Sequence, residues 1–178
     1  MASFTDRMIR AAKLDVTLYE EVEADKDALG QAMGVVILAS VAAGIGAVGT
    51  AGIKGLIFGA VISLVAWFVW AYLTYYIGTR LLPEPQTKAD YGELLRTIGF
   101  SSSPGVLRIL GIIPMLGNIV NFIIGIWVLA AMVIAVRQAL DYKSTWRAAG
   151  VCIIGWIVQF VILTVFYMLA GGSDTPPV

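Results

Sequence analysis

The side chains able to do chemistry are few, and most stand in apolar surroundings. Arg108 sits in the stretch VLRILGII, residues 106–113. Asn118 and Asn121 open the next apolar run, and Gln159 lies inside the last one. An ionisable group within a bilayer is costly and marks a site of function by default. Arg108 could meet a lipid phosphate, a substrate anion or backbone carbonyls released by a break in its own helix. The bland reading is that its long stem snorkels to an interface. Asn118 and Asn121 are i, i+3 and so share a helix face. They could line a polar cavity, or bond helix to helix with Gln159 as partner.

Other chemistry is closed off by composition. There is no histidine, and Cys152 is the single cysteine. Familiar zinc and nucleophile constellations cannot be assembled from that set, and no internal disulfide can form. Catalytic residues, metal ligands and cofactors are therefore not expected, and the chain reads as non-enzymatic. The acidic run Asp15, Glu20, Glu21, Glu23, Asp25, Asp27 lacks the central glycine and closing glutamate of a calcium loop. It reads instead as a solvated helix start, since acids favour the positive end of a helix dipole. Net charge is zero, and no nucleic-acid footprint is indicated.

The elements that position these residues follow from hydropathy. The chain is 59% hydrophobic and 13% charged, with a mean hydropathy of +0.86, against about 45–50% and 25% in soluble domains. The apolar runs are long and continuous rather than alternating, which excludes a strand barrel. The expected fold is an all-α polytopic membrane bundle of about five transmembrane helices with a short N-terminal amphipathic helix. Residues 1–27 form an arm, 28–170 the membrane domain and 171–178 a polar tail. Phe4, Met8, Ile9, Ala11, Ala12 and Leu14 can share one face of the arm's first helix. That face could lie on the membrane surface or on the protein itself.

The first span, 28–48, is rich in small residues. Gly30 with Gly34, and Ser40 with Gly44, are small pairs four apart that let another helix approach closely. They suit a homo-oligomer or protein-partner face, or packing inside the bundle. The second span covers 56–81. Pro83 and Pro85 then stop the helix, and Asp90 with Glu93 resembles a fresh helix start. The third segment is the weakest. It breaks at Ser101, Ser102, Ser103 and Pro104 and ends at Pro114, so a kink buried inside the bundle is expected there. The last two spans cover 118–140 and 148–170.

Basic residues collect on the cytoplasmic side of membrane proteins. With five crossings, ten of the twelve Lys and Arg residues fall on one side, only Lys54 falls on the other, and Arg108 lies within the weak span. This predicts a cytoplasmic N-terminus and an outside C-terminus.

The order of these segments resembles the Yip1 family of five-span membrane proteins in its bacterial form. The likeness rests on LYEEVEADKDALGQAMGVV, a Pro-Glu-Pro loop, LLRTIGFSSSPGVL, IPMLGNIV and IWVLAAMVIAVRQAL, and covers roughly residues 4–170. Its most specific parts are GFSSSP at 99–104, IPMLG at 113–117 and the helix at 126–140. The resemblance implies five helices, a cytosolic N-terminus and, for the bacterial form, an inner-membrane location. Eukaryotic members are linked to Rab GTPases, but a bacterial-type chain with so short an arm has no such partner. Two functions stay open. One is a non-enzymatic scaffold or adaptor for membrane lipids or partner proteins. The other is a small transporter, channel or lipid-handling protein built around the broken third segment.

Overall fold

A computed structural model describes residues 3–46, 48–113 and 116–169. The expectations placed on Pro114 and on the tail at 171–178 lie outside these residues.

The N-terminal arm is two short helices joined by a tight corner. In α1 (Phe4–Ala12) the Ser3 hydroxyl accepts from the Asp6 amide as N-cap, satisfying a helix-end donor. Leu14 takes a positive φ of 62° and turns the chain back. Asp15 then caps α2 (Val16–Ala24) through the Thr17 amide, and Asp25 caps the single 3-10 turn Lys26–Ala28. The acids thus do start helices, as expected. They also do more: Arg7, only 4% exposed, donates to Glu21 at 2.9 Å, Asp25 at 2.7 Å and Gln31 at 3.1 Å. Arg10 donates to Asp15 at 2.8 Å and Glu21 at 2.6 Å. These bonds clamp α1 onto α2 and onto the start of the next helix. Phe4 packs on Gly34 of that helix, and Leu18, Tyr19 and Val22 are fully buried. Of the amphipathic face, Phe4, Met8 and Ala11 pack on the protein, while Ile9 stays 49% exposed.

Four helices are long and apolar enough to cross a membrane. These are α3 (Leu29–Gly46), α4 (Val48–Tyr76), α6 (Gly117–Ala139) and α7 (Thr145–Leu169). Their outward faces carry bare apolar side chains, among them Phe122 at 70%, Phe160 at 71% and Met168 at 69% exposure. Large apolar patches in water mark a binding surface or a liability, whereas lipid is their natural solvent here. The chain is a multi-pass membrane protein.

The broken segment is the axis of the bundle. Asp90 and Glu93 form a full capping box at the start of α5 (Tyr91–Ser101). Every residue from 94 to 101 is buried. At Ser102 the chain tightens into a 3-10 segment, Ser103–Ile112. The serines explain why the break is tolerated in an apolar interior. Ser101 and Ser103 donate at 2.7 Å to the carbonyls of Ile98 and Phe100, so acceptors left by the changing ladder stay paired. The first half is inside the bundle as expected, but Leu107, Ile109, Leu110 and Ile112 in the second half are exposed.

A seam of small residues sets the position of this axis against α3. A methyl on Gly99 would fall 2.7 Å from the Cβ of Ala32, and one on Gly105 would fall 3.2 Å from Ala39 Cβ. Gly46 lies against the backbone of Arg108 and Gly111. Ala32, Ala39 and Gly46 recur every seven residues, about two turns of α-helix. Gly99, Gly105 and Gly111 recur every six, about two turns once the helix tightens to three residues per turn. The axis therefore runs parallel to α3 from Ala32 to Gly46, about 21 Å. Four helices are long and apolar enough to span, against the five crossings expected, and this axis lies beside the first of them.

The connections sort to the two ends. Gln138 of α6 donates to Glu20 of α2 at 3.0 Å, and Arg96 of α5 donates to the carbonyls of Val22 and Glu23. Glu84 accepts from the Lys143 amide at 3.0 Å, and Gln86 donates to the Asp141 carbonyl. The arm, the loop after α4 and the loop after α6 thus share one end, here the arm end. Gly46, Gly111 and Gly117 mark the far end.

Candidate functional site

Six elements, α3, α4, α5, the 3-10 segment, α6 and α7, leave a cavity of about 470 Å³ between them. Val36, Ala39, Ser40, Ala43 and Gly44 supply its α3 wall, and Gly59, Ser63, Ala66, Trp67 and Trp70 its α4 wall. Arg108, Val128, Met132, Trp156 and Gln159 close it. A second cavity of about 400 Å³ adjoins it, lined by Asn121, Phe122, Gly125, Ile126 and Leu129. Arg108, Val128, Met132 and Trp156 line both. Arg108 is the one charged residue among the lining residues of either cavity.

Most of the polar side chains here lack partners among the described residues. Among the described residues Arg108 donates no hydrogen bond and pairs with no carboxylate, and neither Ser63, Ser102 nor Gln159 donates to anything. Trp67 Nε1 finds the Leu95 carbonyl at 3.2 Å. Trp70, 5% exposed, has a buried Nε1 with no partner. Its ring packs on the backbone of Gly155 in α7. Buried donors without acceptors are rare, and each invites an explanation.

The residues singled out from sequence separate in space. Arg108 and Gln159 come together on the first cavity, and Asn121 joins Arg108 on the second. Asn118 does not: it is exposed and lines neither cavity. Gln159 bonds neither asparagine. The three-residue spacing puts two side chains about 60° apart around the axis, enough here to turn one toward the cavity and leave the other outside. The freed carbonyls offered to Arg108 are taken instead by Ser101 and Ser103, as described above. Ser102, the serine between them, lines the cavity.

The small residues of α3 divide in the same way. Gly30 faces open space, and a methyl on Gly34 would fall 3.5 Å from the Phe4 ring. Ser40 donates back to the Val36 carbonyl at 2.7 Å, and with Gly44 it lines the cavity. Close packing uses the neighbouring stripe of Ala32, Ala39 and Gly46.

At the arm end a cleft of about 540 Å³ is lined by Glu20, Glu23, Glu93, Arg137, Asp141 and Lys143. Burial pushes the Glu23 carboxyl up to about 7, helped by the charges of Glu93, Asp141 and Glu20 and opposed by Arg96. Burial likewise raises Glu93. Among the described residues no three His, Cys, Asp or Glu side chains stand where they could hold a metal ion. The opposite signs of Arg137 and Lys143 make the cleft a charge mosaic rather than a cation cage.

A family model described as Yip1 domain matches residues 17–167. No curated protein and no solved structure matches the chain.

Proposed function

The chain belongs to the Yip1 family, and from that premise we propose that it is a non-enzymatic scaffold that binds lipid within its membrane domain. The observation that carries this reading is the cavity between α3, α4 and α7, in which Arg108, Gln159, Ser63, Ser102 and the buried Trp70 Nε1 lack partners among the described residues. Polar groups in hydrocarbon need partners, and each one left alone costs several kcal/mol, roughly. A lipid, with acceptors at its head and an apolar tail, meets both walls of such a site. The ten-to-one split of basic loop residues supports an N-terminus in the cytoplasm and a far end facing out of a bacterial inner membrane.

Lipid extraction and native mass spectrometry of the purified protein test the reading. Retained lipid in stoichiometric amount is expected, and a protein that carries none through mild detergent is incompatible with it. A second reading, a small transporter or channel, is favoured by one observation, the helix that changes type at Ser102 beside the cavity. Discontinuous helices build many transport sites. Solute flux in liposomes separates the two, and none above empty vesicles is expected.

A further inference from the structure

Resting on the lipid-binding reading, we propose that the paired cavities hold an anionic phospholipid of the far-end leaflet, with its phosphate on Arg108. Charge gives the first argument. Arg108 lines both cavities, neither lining contains a carboxylate, and the guanidinium has no acceptor among the described residues. An arginine fork matches a phosphate with two parallel bonds. No acid stands near to receive the ammonium of a zwitterionic head, so a net-anionic head suits the site better.

The second argument is the excess of donors. Arg108 and the indole of Trp70 can only donate, and Trp70 Nε1 is buried and unpartnered. Ser63, Ser102 and Gln159 add hydroxyl and amide donors deeper in the cavity. Gln159 stands one turn beyond Gly155, the residue that packs on Trp70. A phospholipid presents acceptors in a matching order: phosphate oxygens first, ester carbonyls below, then an apolar chain.

Depth gives the third argument and decides between a lipid and a soluble anion. Arg108 packs against Gly46, the last residue of α3. That places it about 27 Å from the start of α3, near the boundary of a hydrocarbon core of about 30 Å. This is the level of a headgroup phosphate. Beyond Arg108 and Asn121 the second cavity is walled by Phe122, Ile126 and Leu129, an apolar surface that suits an acyl chain and adds nothing for a free inorganic anion.

The test uses the full chain reconstituted in vesicles of equal phosphatidylglycerol and phosphatidylcholine, then taken into mild detergent for native mass spectrometry. Wild type is expected to retain phosphatidylglycerol about tenfold over phosphatidylcholine, equivalent to about 1.4 kcal/mol. Arg108→Gln should remove that preference, and Arg108→Lys should keep part of it. Gly125→Leu adds a side chain where the structure has open space, fills the second cavity and should lower retained lipid several-fold. Gly125→Leu keeps Arg108 intact and serves where Arg108→Gln does not fold. A wild type that retains both lipids equally overturns the anionic assignment and leaves the lipid-binding reading standing. An unchanged preference in Arg108→Gln, or unchanged lipid in Gly125→Leu, also overturns it. Displacement of phosphatidylglycerol by millimolar inorganic phosphate would reassign the site to a soluble anion. A wild type with no lipid at all sinks both the assignment and the reading beneath it.

Discussion

Trp127, halfway along α6, donates its indole N–H at 2.7 Å to the carbonyl of Ala12, the last residue of α1. A helix-end carbonyl has no partner in its own helix, so a membrane-domain side chain completes the arm. The arm is thereby wedged against the bundle rather than floating beside it. Trp127→Phe keeps most of the apolar contact and removes the donor. A loss of about 1 kcal/mol is expected, read as faster proteolysis after Arg10 and Lys13 with the membrane domain intact. An arm equally protected in the variant would show that the bond does not hold it.

The Arg7 cluster should make the arm sensitive to acid. Asp25 is held below the usual carboxylate range chiefly by its bond from Arg7, and Glu21 chiefly by its bond from Arg10. Folded values below the unfolded ones mean stability that is present at neutral pH and lost as pH falls below about 4. Arg7→Ala leaves two carboxylates short of a partner and should cost roughly 2–4 kcal/mol near pH 7. It should also flatten the acid limb of the melting-temperature profile. An unshifted melting temperature at neutral pH would count against the cluster as a clamp.

The Gly99–Ala32 contact sets a steric limit. A methyl at Gly99 meets Ala32 Cβ at 2.7 Å and its backbone at 3.2 Å, whereas one at Gly105 meets only a methyl, at 3.2 Å. Overpacking a tight interior costs about 1–3 kcal/mol. Gly99→Ala is expected near the top of that range and Gly105→Ala near the bottom, compared by melting in one detergent. Equal effects, or a milder one at Gly99, would place the closest approach elsewhere.

These seams mark the limit of what could be read without the structure. Helix positions were legible, because long apolar runs, Asp90 with Glu93 and the SSSP break each carry a local signal. Arg108 and Gln159 were legible as costly polar residues in apolar runs. Which face meets which helix was not. α3, α4, α6 and α7 are apolar all round, so no amphipathic stripe distinguishes a packed side from a lipid-facing one. The small pairs Gly30 with Gly34 and Ser40 with Gly44 were therefore visible, but not that the close approach falls on Ala32 and Ala39. Arg7 meeting Asp25 was hidden for another reason: the corner at Leu14 brings them together, and no spacing rule covers a left-handed turn.

Orientation can be tested independently of any ligand. Ten basic residues lie at the arm end, while Lys54 falls in the first turns of α4, toward the opposite end. Reporter fusions at Lys143 and at the C-terminus should fall on opposite sides of the membrane, with Lys143 inside. Both on one side would contradict a fifth crossing by α5 and its 3-10 extension.

Glu23 carries the last prediction, a weakening of arm docking as pH rises. Its carboxyl faces Glu20 on its own helix, Glu93 and Arg96 from α5, Arg137 and Gln138 from α6, and Asp141 and Lys143 from the following loop. Burial, then the acids, push it up to about 7, above its unfolded value of about 4.3. The folded state therefore binds this proton more tightly than the unfolded one. The associated stability is complete below the unfolded value and is lost as pH climbs through about 7. Arg96 holds the Val22 and Glu23 carbonyls at any of these pH values, so the end of α2 should loosen without leaving. Hydrogen exchange over Val16–Ala24, corrected for intrinsic rate, should show less protection near pH 8 than near pH 6. Glu23→Gln should keep the acid-side protection at both, because an amide stays neutral where the carboxyl ionises. Glu20→Gln removes only one neighbouring charge and should give a smaller change. Protection in wild type that is flat or rising across this window would mean that Glu23 ionises without strain and that the cleft is open to water.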